Sequence, residues 1–428
     1  MQVTLEYGTE GLPLDLTGLE VTLVEPTFVP GLPDEAQSFR EAMNAPIGCS
    51  PLRGRVGADE TVAVVIPDIT RALPNERLLN WLFAELDHVR PENVVIISGT
   101  GTHRQNSEEE WIRMVGPEIF DRYRCINHRG GDHDSMELVG RSRFGYEVHF
   151  NRQYCQADRR ILLGFIEPHF MAGFSGGYKA VFPGVTSVDA IMHYHSAANI
   201  AHPHSTWGIL ADNPTQENVR AGGSLLPVDL LINVTLNNRR EITRFFIGDP
   251  VAAHEVGCDF CRSTAMVACD EPFDIVVTSN SGYPLDQNLY QAVKGMSAAD
   301  KIVREGGLIL MAARCTDGFP EHGTFKDFLF QHDSAQAMLD QIHTPGFGMM
   351  DQWQVQMLAL VLNHANVGVC SELPAAVLRR AHFEPVTDIR SRIDEEISRQ
   401  GRPLKIAVMP EGPMTIPYLA GETDEIRG

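Results

Sequence analysis

The chain has 428 residues, with 56 acidic and 35 basic side chains and a formal net charge of −21. This balance disfavours nucleic acid as a partner, because binding to phosphates requires surplus Lys and Arg. The length and overall composition are those of a globular protein with two or three domains. No apolar run is long enough to span a bilayer, the amino terminus lacks a secretion signal, and the eight cysteines form no disulfide framework, so we expect a soluble cytoplasmic protein with no membrane partner.

Short β-branched runs alternate with amphipathic stretches in the first half of the chain. Residues 62–66, 94–97 and 161–163 are uniformly apolar and predict buried strands of a parallel sheet. Residues 74–89 place apolar side chains at helical spacing between the first two strands, which predicts a βαβ unit.

A hairpin and a second α/β series follow. Residues 229–234 and 241–247 read as two antiparallel strands that turn at Asn237 and Asn238. The second series contains predicted strands at 275–278, 308–311, near 367 and at 406–409, and predicted helices at 285–299, 324–342, 351–362 and 386–399.

These patterns predict the α/β class, with two Rossmann-like α/β domains and the active site in the cleft between them. We place the boundary within 248–272, where a Gly-Asp-Pro sequence interrupts the strand pattern. The predicted division is 1–255 for a cofactor-binding domain and 256–405 for a domain that contributes substrate-binding residues. The remaining 406–428 is expected to pack back on the first domain.

Two motifs of reactive polar residues follow the first two predicted strands. Asp68, Thr70 and Arg71 bring a carboxylate, a hydroxyl and a guanidinium to one strand end, which suits a ribose, carboxylate or phosphate ligand but also an ordinary helix cap. The sequence GTGTHR at 99–104 places His103 after small residues as a candidate acid/base, although a tight turn explains the glycines equally well.

The third motif, EPHFMAGFSGGYK at 167–179, follows the third strand. His169 and Lys179 flank a turn that contains Gly176 and Gly177, and an amine beside apolar side chains can act as a nucleophile when its pKa is lowered. The alternative is a glycine-rich surface turn, but so many glycines between a histidine and a lysine favour a functional site.

Four histidines then lie within twelve residues, at 193, 195, 202 and 204. Imidazole binds Zn, Ni, Cu and Fe, so this segment is either a metal site with one or two true ligands or a solvated His-rich loop. On a helix, His193 and His195 would point in different directions.

The last motif lies on the helix predicted at 285–299. Tyr290, Gln291 and Lys294 share one face with Gln287, so Lys294 can bind a substrate carboxylate and Gln291 can form a hydrogen bond with it. A polar face toward solvent is the other interpretation.

Taken together, DxTR (68–71), GTGTHR (99–104), PH-x8-GYK (168–179), His195 and NLYQAVK (288–294) resemble the nickel-pincer lactate racemase family. The resemblance implies a racemase or epimerase, an isomerase that inverts C2 of a 2-hydroxy acid by reversible hydride transfer through a 2-oxo acid. It also implies a nickel-pincer nucleotide, a pyridinium mononucleotide with two sulfur arms that binds nickel, and enzymes that make this cofactor as partners.

The resemblance also assigns roles to single residues. Lys179 is the tether of the cofactor through a thioamide, and His195 is the nickel ligand. His103 and His169 are the catalytic acid/base pair. The cofactor-binding residues are Lys179, Asp68, Thr70, Gly176 and Gly177, and the substrate-binding residues are Arg71, Tyr290, Gln291 and Lys294.

The chain departs from the family pattern at two positions. Ala72 replaces the proline that often follows DxTR, and Tyr178 replaces a basic residue that often precedes the lysine. The substrate therefore stays open within the 2-hydroxy acids, and the oligomeric state is not indicated. Two other functions remain as alternatives, namely a His-rich metal-dependent hydrolase and a catalytically inactive nucleotide-binding homologue.

Overall fold

The computed structural model describes residues 1–320 and 323–422. The strands are β1 (Gln2–Leu5), β2 (Leu12–Asp15), β3 (Val21–Leu23), β4 (Val62–Pro67), β5 (Val94–Gly99), β6 (Arg124–Asn127), β7 (Met136–Arg141), β8 (Glu147–Asn151), β9 (Arg159–Phe165), β10 (Pro168–His169), β11 (Gly173–Phe174), β12 (Leu230–Leu236), β13 (Ile242–Gly248), β14 (Met266–Cys269), β15 (Phe273–Ser279), β16 (Val303–Ala312), β17 (Asn366–Cys370), β18 (Glu384–Pro385), β19 (Ile406–Met409) and β20 (Ile416–Leu419).

The helices pack on the faces of the sheets. They are α1 (Glu35–Asn44), α2 (Asn75–Glu85), α3 (Glu108–Val115), α4 (Pro117–Arg122), α5 (Arg152–Gln156), α6 (Val188–Tyr194), α7 (Ala197–Ile200), α8 (Pro214–Gly223), α9 (Ala252–Ala265), α10 (Leu289–Asp300), α11 (Phe325–Gln331), α12 (Ala335–Ile342), α13 (Gln352–His364), α14 (Ala375–Arg380) and α15 (Ile389–Gln400). None of those described is long and apolar enough to cross a membrane.

The first domain is built on a six-stranded sheet with the order β13-β12-β9-β4-β5-β6. All neighbouring strands are parallel except β12 and β13, which form the predicted hairpin. Strand β4 is buried along Val62–Ile66 because helices cover both faces of a parallel sheet, and this explains its unbroken apolar sequence. The strand order reverses between β4 and β9, and ligands of such sheets bind at this point, beyond the carboxyl ends of the strands.

The second domain has a parallel six-stranded sheet with the order β18-β17-β16-β15-β19-β3. The α/β class predicted from the sequence is therefore confirmed. Helix α10 follows β15 and packs against β16, so the first turn of α10 lies beyond the carboxyl end of the sheet.

Both ends of the chain contribute to the second sheet. Strand β3 pairs with β19, and the apolar side chains of β1 and β2 pack beneath the same sheet. Residues 406–409 lie inside the second sheet, and β20 pairs with β14, which also follows the boundary. The part of the predicted tail beyond residue 422 lies outside the described residues.

Candidate active site

One pocket of the structure is lined by residues from both domains. The first domain contributes the carboxyl ends of β4, β5 and β9 and the loops that follow them, and the second domain contributes α10 and the start of α13. The pocket brings together most of the residues that the sequence motifs indicate, which are Asp68, Arg71, His103, His169, Gly176, Lys179, His195, Tyr290, Gln291 and Lys294.

His103 and Asp68 form a hydrogen-bonded pair on adjacent strand ends. His103 Nδ1 lies 2.7 Å from Asp68 Oδ2, while the other carboxylate oxygen accepts from the Thr70 amide at 2.8 Å and the Thr70 hydroxyl at 2.5 Å. Burial raises the pKa of Asp68, but His103 and Arg71 outweigh it and hold this pKa well below its usual range. An ionised carboxylate only accepts hydrogen bonds, so Nδ1 of His103 has the proton and Nε2 is the nitrogen that exchanges protons.

His169 is held in a different way. Its Nδ1 accepts hydrogen bonds from the backbone amides of Met171 and Ala172, each at 3.2 Å, so the neutral ring keeps its proton on Nε2. Burial, and then the nearby Lys179, holds the pKa of His169 well below its usual value. The two histidines therefore present opposite hydrogen-bonding capacity at Nε2, His103 as an acceptor and His169 as a donor.

Lys179 lies in a short 3₁₀ turn, Gly177–Ala180, directly after the glycine pair. Gly176 has a φ of +83°, and a Cβ there would lie 2.6 Å from Asn233 Oδ1, so a side chain does not fit. The same oxygen accepts a hydrogen bond from the Gly177 amide at 2.8 Å and fixes the turn. Burial and then the Arg71 guanidinium lower the pKa of Lys179 to about 7, so a large fraction of the amine is nucleophilic at neutral pH.

His195 follows the last residue of α6 and is buried on the pocket wall. Its ring stacks on Trp353 with centroids 4.4 Å apart, and its Nδ1 has no hydrogen-bond partner. His193 is on the other side of the helix end, where it stacks on Tyr146 at 4.7 Å and does not line the pocket. Among the described residues, no group of three or more His, Cys, Asp or Glu side chains is arranged to hold a metal ion. A zinc site built from the four neighbouring histidines is therefore not formed.

Helix α10 places three polar side chains on the opposite wall. Asn288 caps the helix by accepting from the Gln291 amide at 3.1 Å, which orients the first turn toward the pocket. Lys294 is 8% exposed, and Gln291 Oε1 is buried with no hydrogen-bond partner. The Tyr290 hydroxyl accepts from Trp353 Nε1 at 2.9 Å, which links this wall to the ring that covers His195.

Some predicted residues lie away from the pocket wall. Thr70 and Gly177 act through hydrogen bonds to Asp68 and Asn233 rather than as lining residues. Tyr178, one of the two departures from the family pattern, packs against Gly223 of α8. The other departure, Ala72, lines a separate pocket.

Glu167 and Trp353 are among the lining residues of the pocket that the sequence does not predict as site residues. Glu167 is buried on the pocket wall, and its position directly before the Pro-His pair was the only available signal. Trp353 comes from α13, more than 50 residues after the last motif, and resembles any other apolar residue of an amphipathic helix. Its role becomes visible only when α13 packs against α10.

Comparison with known proteins gives a consistent result across most of the chain. The lactate racemase N-terminal domain matches residues 7–208, and the lactate racemase C-terminal domain matches residues 269–416. Lactate racemase of Lactiplantibacillus plantarum is 34% identical over 382 residues, covering 88% of this chain and 90% of the relative. Lactate racemase of Thermoanaerobacterium thermosaccharolyticum is 32% identical over 385 residues, covering 88% of this chain and 89% of the relative.

The fold has the same relatives. The lactate racemase apoprotein structure from Thermoanaerobacterium thermosaccharolyticum superposes with a TM-score of 0.88 at 28% identity, covering 97% of this chain and all of that chain. A crystal structure from Thermotoga maritima shares the fold with a TM-score of 0.70 at 18% identity, covering 92% of this chain. The α/β domains and these relatives define an isomerase of the racemase class. The chain belongs to the lactate racemase family, and the resemblance seen in the motifs is confirmed.

Proposed function

We propose that this racemase inverts C2 of lactate or a closely related 2-hydroxy acid, with a nickel-pincer nucleotide bound covalently to Lys179. The observation that supports it most is the convergence of two acid/base histidines, a nucleophilic lysine and two further cations in one pocket. The names of the two relatives support lactate as the substrate. Cofactor-making enzymes would then be necessary partners.

The residues present fit this cofactor. The Lys179 amine, with a pKa of about 7, is suited to form the thioamide. Nδ1 of His195 is buried without a partner and would bind nickel. The turn at Gly176 leaves no room for a side chain and would let the backbone approach the nucleotide closely. When bound, the cofactor supplies an electrophilic centre that accepts a hydride and returns it.

The protein residues bind the substrate and move its hydroxyl proton. Arg71 and Lys294 would hold the carboxylate through charge-assisted hydrogen bonds, and Gln291 would bind the hydroxyl or carbonyl oxygen. Removal of a hydride from C2 and of a proton from the hydroxyl leaves a planar 2-oxo acid. Return of both to the opposite face gives the other enantiomer without net oxidation or reduction.

The two histidines act on the substrate oxygen in different ways. His103 takes the hydroxyl proton at Nε2, as its hydrogen bond to Asp68 allows, and returns it to the oxygen when the hydride returns, so that the ring ends in its starting state. Nε2 of His169 donates a hydrogen bond to the substrate oxygen, because its Nδ1 is held by the backbone amides of Met171 and Ala172. Apolar side chains on the pocket wall, including Phe170 and Met171, exclude water, which helps retain the 2-oxo acid.

Intact-mass measurement on protein produced together with the cofactor-making enzymes tests the proposal. We expect an adduct of several hundred daltons in the wild type and in Lys405→Ala, whose lysine is exposed on the surface, but not in Lys179→Ala. Nickel should be lost in His195→Ala and retained in His103→Ala and His169→Ala, both of which lose turnover. Full racemase activity in protein of unmodified mass would refute the proposal.

A further inference from the structure

The pocket contains a carboxylate to which the proposed reaction gives no role. Glu167 follows β9, and two hydrogen bonds with Ser175 fix its backbone. The Glu167 amide donates to the Ser175 hydroxyl at 3.0 Å, and the Ser175 amide donates to the Glu167 carbonyl at 2.9 Å. The side chain is 6% exposed, and its Oε2 has no hydrogen-bond partner. A buried carboxylate without such a partner is costly unless nearby cations stabilise it.

Three basic side chains line the same pocket as this carboxylate. Arg71 from the loop after β4, Lys294 from α10 and Lys179 from the glycine-rich turn all interact electrostatically with Glu167, and the fourth ionisable group that faces it is the buried thiol of Cys261 on α9. The thiol is neutral because burial raises the pKa of Cys261 far above the neutral range.

The other carboxylate of the pocket is already engaged. Both oxygens of Asp68 accept hydrogen bonds, one from His103 and one from Thr70. Once Lys179 forms a thioamide, its nitrogen has no charge. Arg71 and Lys294 are then the remaining cations of the pocket, and Glu167 is the carboxylate that is not committed to another side chain. Two cations in a water-poor pocket repel each other, and a lysine responds by releasing its proton because an arginine cannot.

We propose that Glu167 is the internal counter-ion of the pocket and keeps the Lys294 amine protonated, so that Lys294 can bind the substrate carboxylate. The assignment of the carboxylate to Lys294 rests on the function proposed above. Burial and then Arg71 hold the pKa of Lys294 well below its usual value, and Lys179 acts in the same direction, whereas Glu167 and, more weakly, Asp68 oppose this shift. His169 also faces Lys294. Glu167 therefore acts through Lys294 as a positioning residue and does not exchange a proton with the substrate.

Glu167→Gln removes the charge and keeps the shape, so its effect should depend on pH. In the cofactor-loaded enzyme, KM for lactate should match the wild type at acidic pH and then rise about tenfold per pH unit once Lys294 loses its proton. We expect this rise to begin on the order of one pH unit lower in Glu167→Gln than in the wild type, with kcat changing little. Calorimetric titration with racemic lactate should show the same shift in Kd.

Replacing the lysine by arginine provides the decisive control. The double variant Glu167→Gln, Lys294→Arg has a cation that cannot be deprotonated, so its KM should lose the alkaline rise even if its absolute value is higher. Glu92→Gln, at a carboxylate 66% exposed, should keep the wild-type profile. A steric defect in Glu167→Gln would instead raise KM equally at all pH values and would persist in the double variant.

A second measurement separates this inference from the proposed function. The rate at which acetic anhydride acetylates Lys294, followed by peptide mass spectrometry across pH, reports the protonation of the amine without any substrate. If wild-type protein neither binds nor racemises lactate but Glu167→Gln shifts this labelling curve to lower pH, the proposed function fails and the counter-ion role stands. Identical labelling curves in the two proteins, or an alkaline rise of KM that persists in the double variant, would overturn the inference.

Discussion

The pair formed by His103 and Asp68 allows a sharp prediction for Asp68→Asn. Both the amide and the hydroxyl of Thr70 donate to the carboxylate oxygen that would become the asparagine carbonyl, so this oxygen stays in place. The new NH₂ group then lies at the position of Oδ2, 2.7 Å from His103 Nδ1 in the native protein. A donor there forces the imidazole proton to Nε2, and His103 can no longer accept the hydroxyl proton of the substrate.

The size of the effect follows from the hydrogen bond that is lost. A hydrogen bond to a charged group is worth about 1.5–3 kcal/mol, and each 1.36 kcal/mol is tenfold in rate, so we expect kcat/KM to fall about 10- to 150-fold. Two enantiomers have equal free energy, so their interconversion has an equilibrium constant of one. The fall in kcat/KM must therefore be the same in both directions, while kcat and KM can each change differently for D- and L-lactate.

The assay measures both directions on cofactor-loaded protein, with each product determined by an enantiomer-specific lactate dehydrogenase. Intact mass establishes that the loading of Asp68→Asn equals that of the wild type, and thermal unfolding establishes that the variant is folded. Asp59→Asn, at a carboxylate 87% exposed, is the matched control and should keep full activity. Activity of folded, loaded Asp68→Asn within threefold of the wild type would refute the proposed tautomer control.

Two further predictions concern the turn and the stability of the second domain. Gly176→Ala places a Cβ 2.6 Å from Asn233 Oδ1 and should abolish the cofactor adduct. Gly306→Ala is the control, because Gly306 also has a positive φ but no atom lies within 4 Å of the added Cβ, and this variant should carry the adduct normally. Equal amounts of adduct in the two variants would contradict the proposed role of the Gly176 turn. The pKa of Glu396 is lowered to about 2 by hydrogen bonds from arginines of the same helix. The ionised carboxylate therefore stabilises the fold fully above its ordinary pKa of about 4.5, and this stabilisation is lost as the pH falls toward 2. Glu396→Gln should therefore lower the unfolding temperature at pH 7 by about 2–4 °C, and calorimetry at pH 2 should show little difference from the wild type.

The parts of the fold that the sequence predicts well are those with a strong local pattern. The expected strands at 62–66 and 94–97 correspond to Val62–Pro67 and Val94–Gly99, because a strand that is covered on both faces must be apolar along its whole length. The hairpin turn was correctly placed at Asn237. Strand β3 gave no such signal, since it has three residues that are largely solvent-accessible and it forms only by pairing with β19.

The site shows the same limit. Motifs at strand ends were identified because parallel strands bring their carboxyl ends to one edge of a sheet, and the structure places most of these residues around one pocket. The resemblance assigns Asp68 to the nucleotide, and in the structure its carboxylate forms hydrogen bonds with His103 and Thr70. Which partner a carboxylate selects depends on distances between separate loops, and these are not encoded in the local spacing of residues.

Strand β3 also has a consequence for how the protein is made. Its partner β19 lies about 385 residues later in the chain, so the amino-terminal segment leaves the ribosome long before its place in the second sheet exists. At about 5–20 residues per second, this segment waits on the order of 20–80 s while the first domain is synthesised and can fold. The chain therefore passes between the domains twice, near residues 25–30 and again after α9, which still packs on β12 and β13 of the first domain. The second sheet can be completed only after β19 has been synthesised.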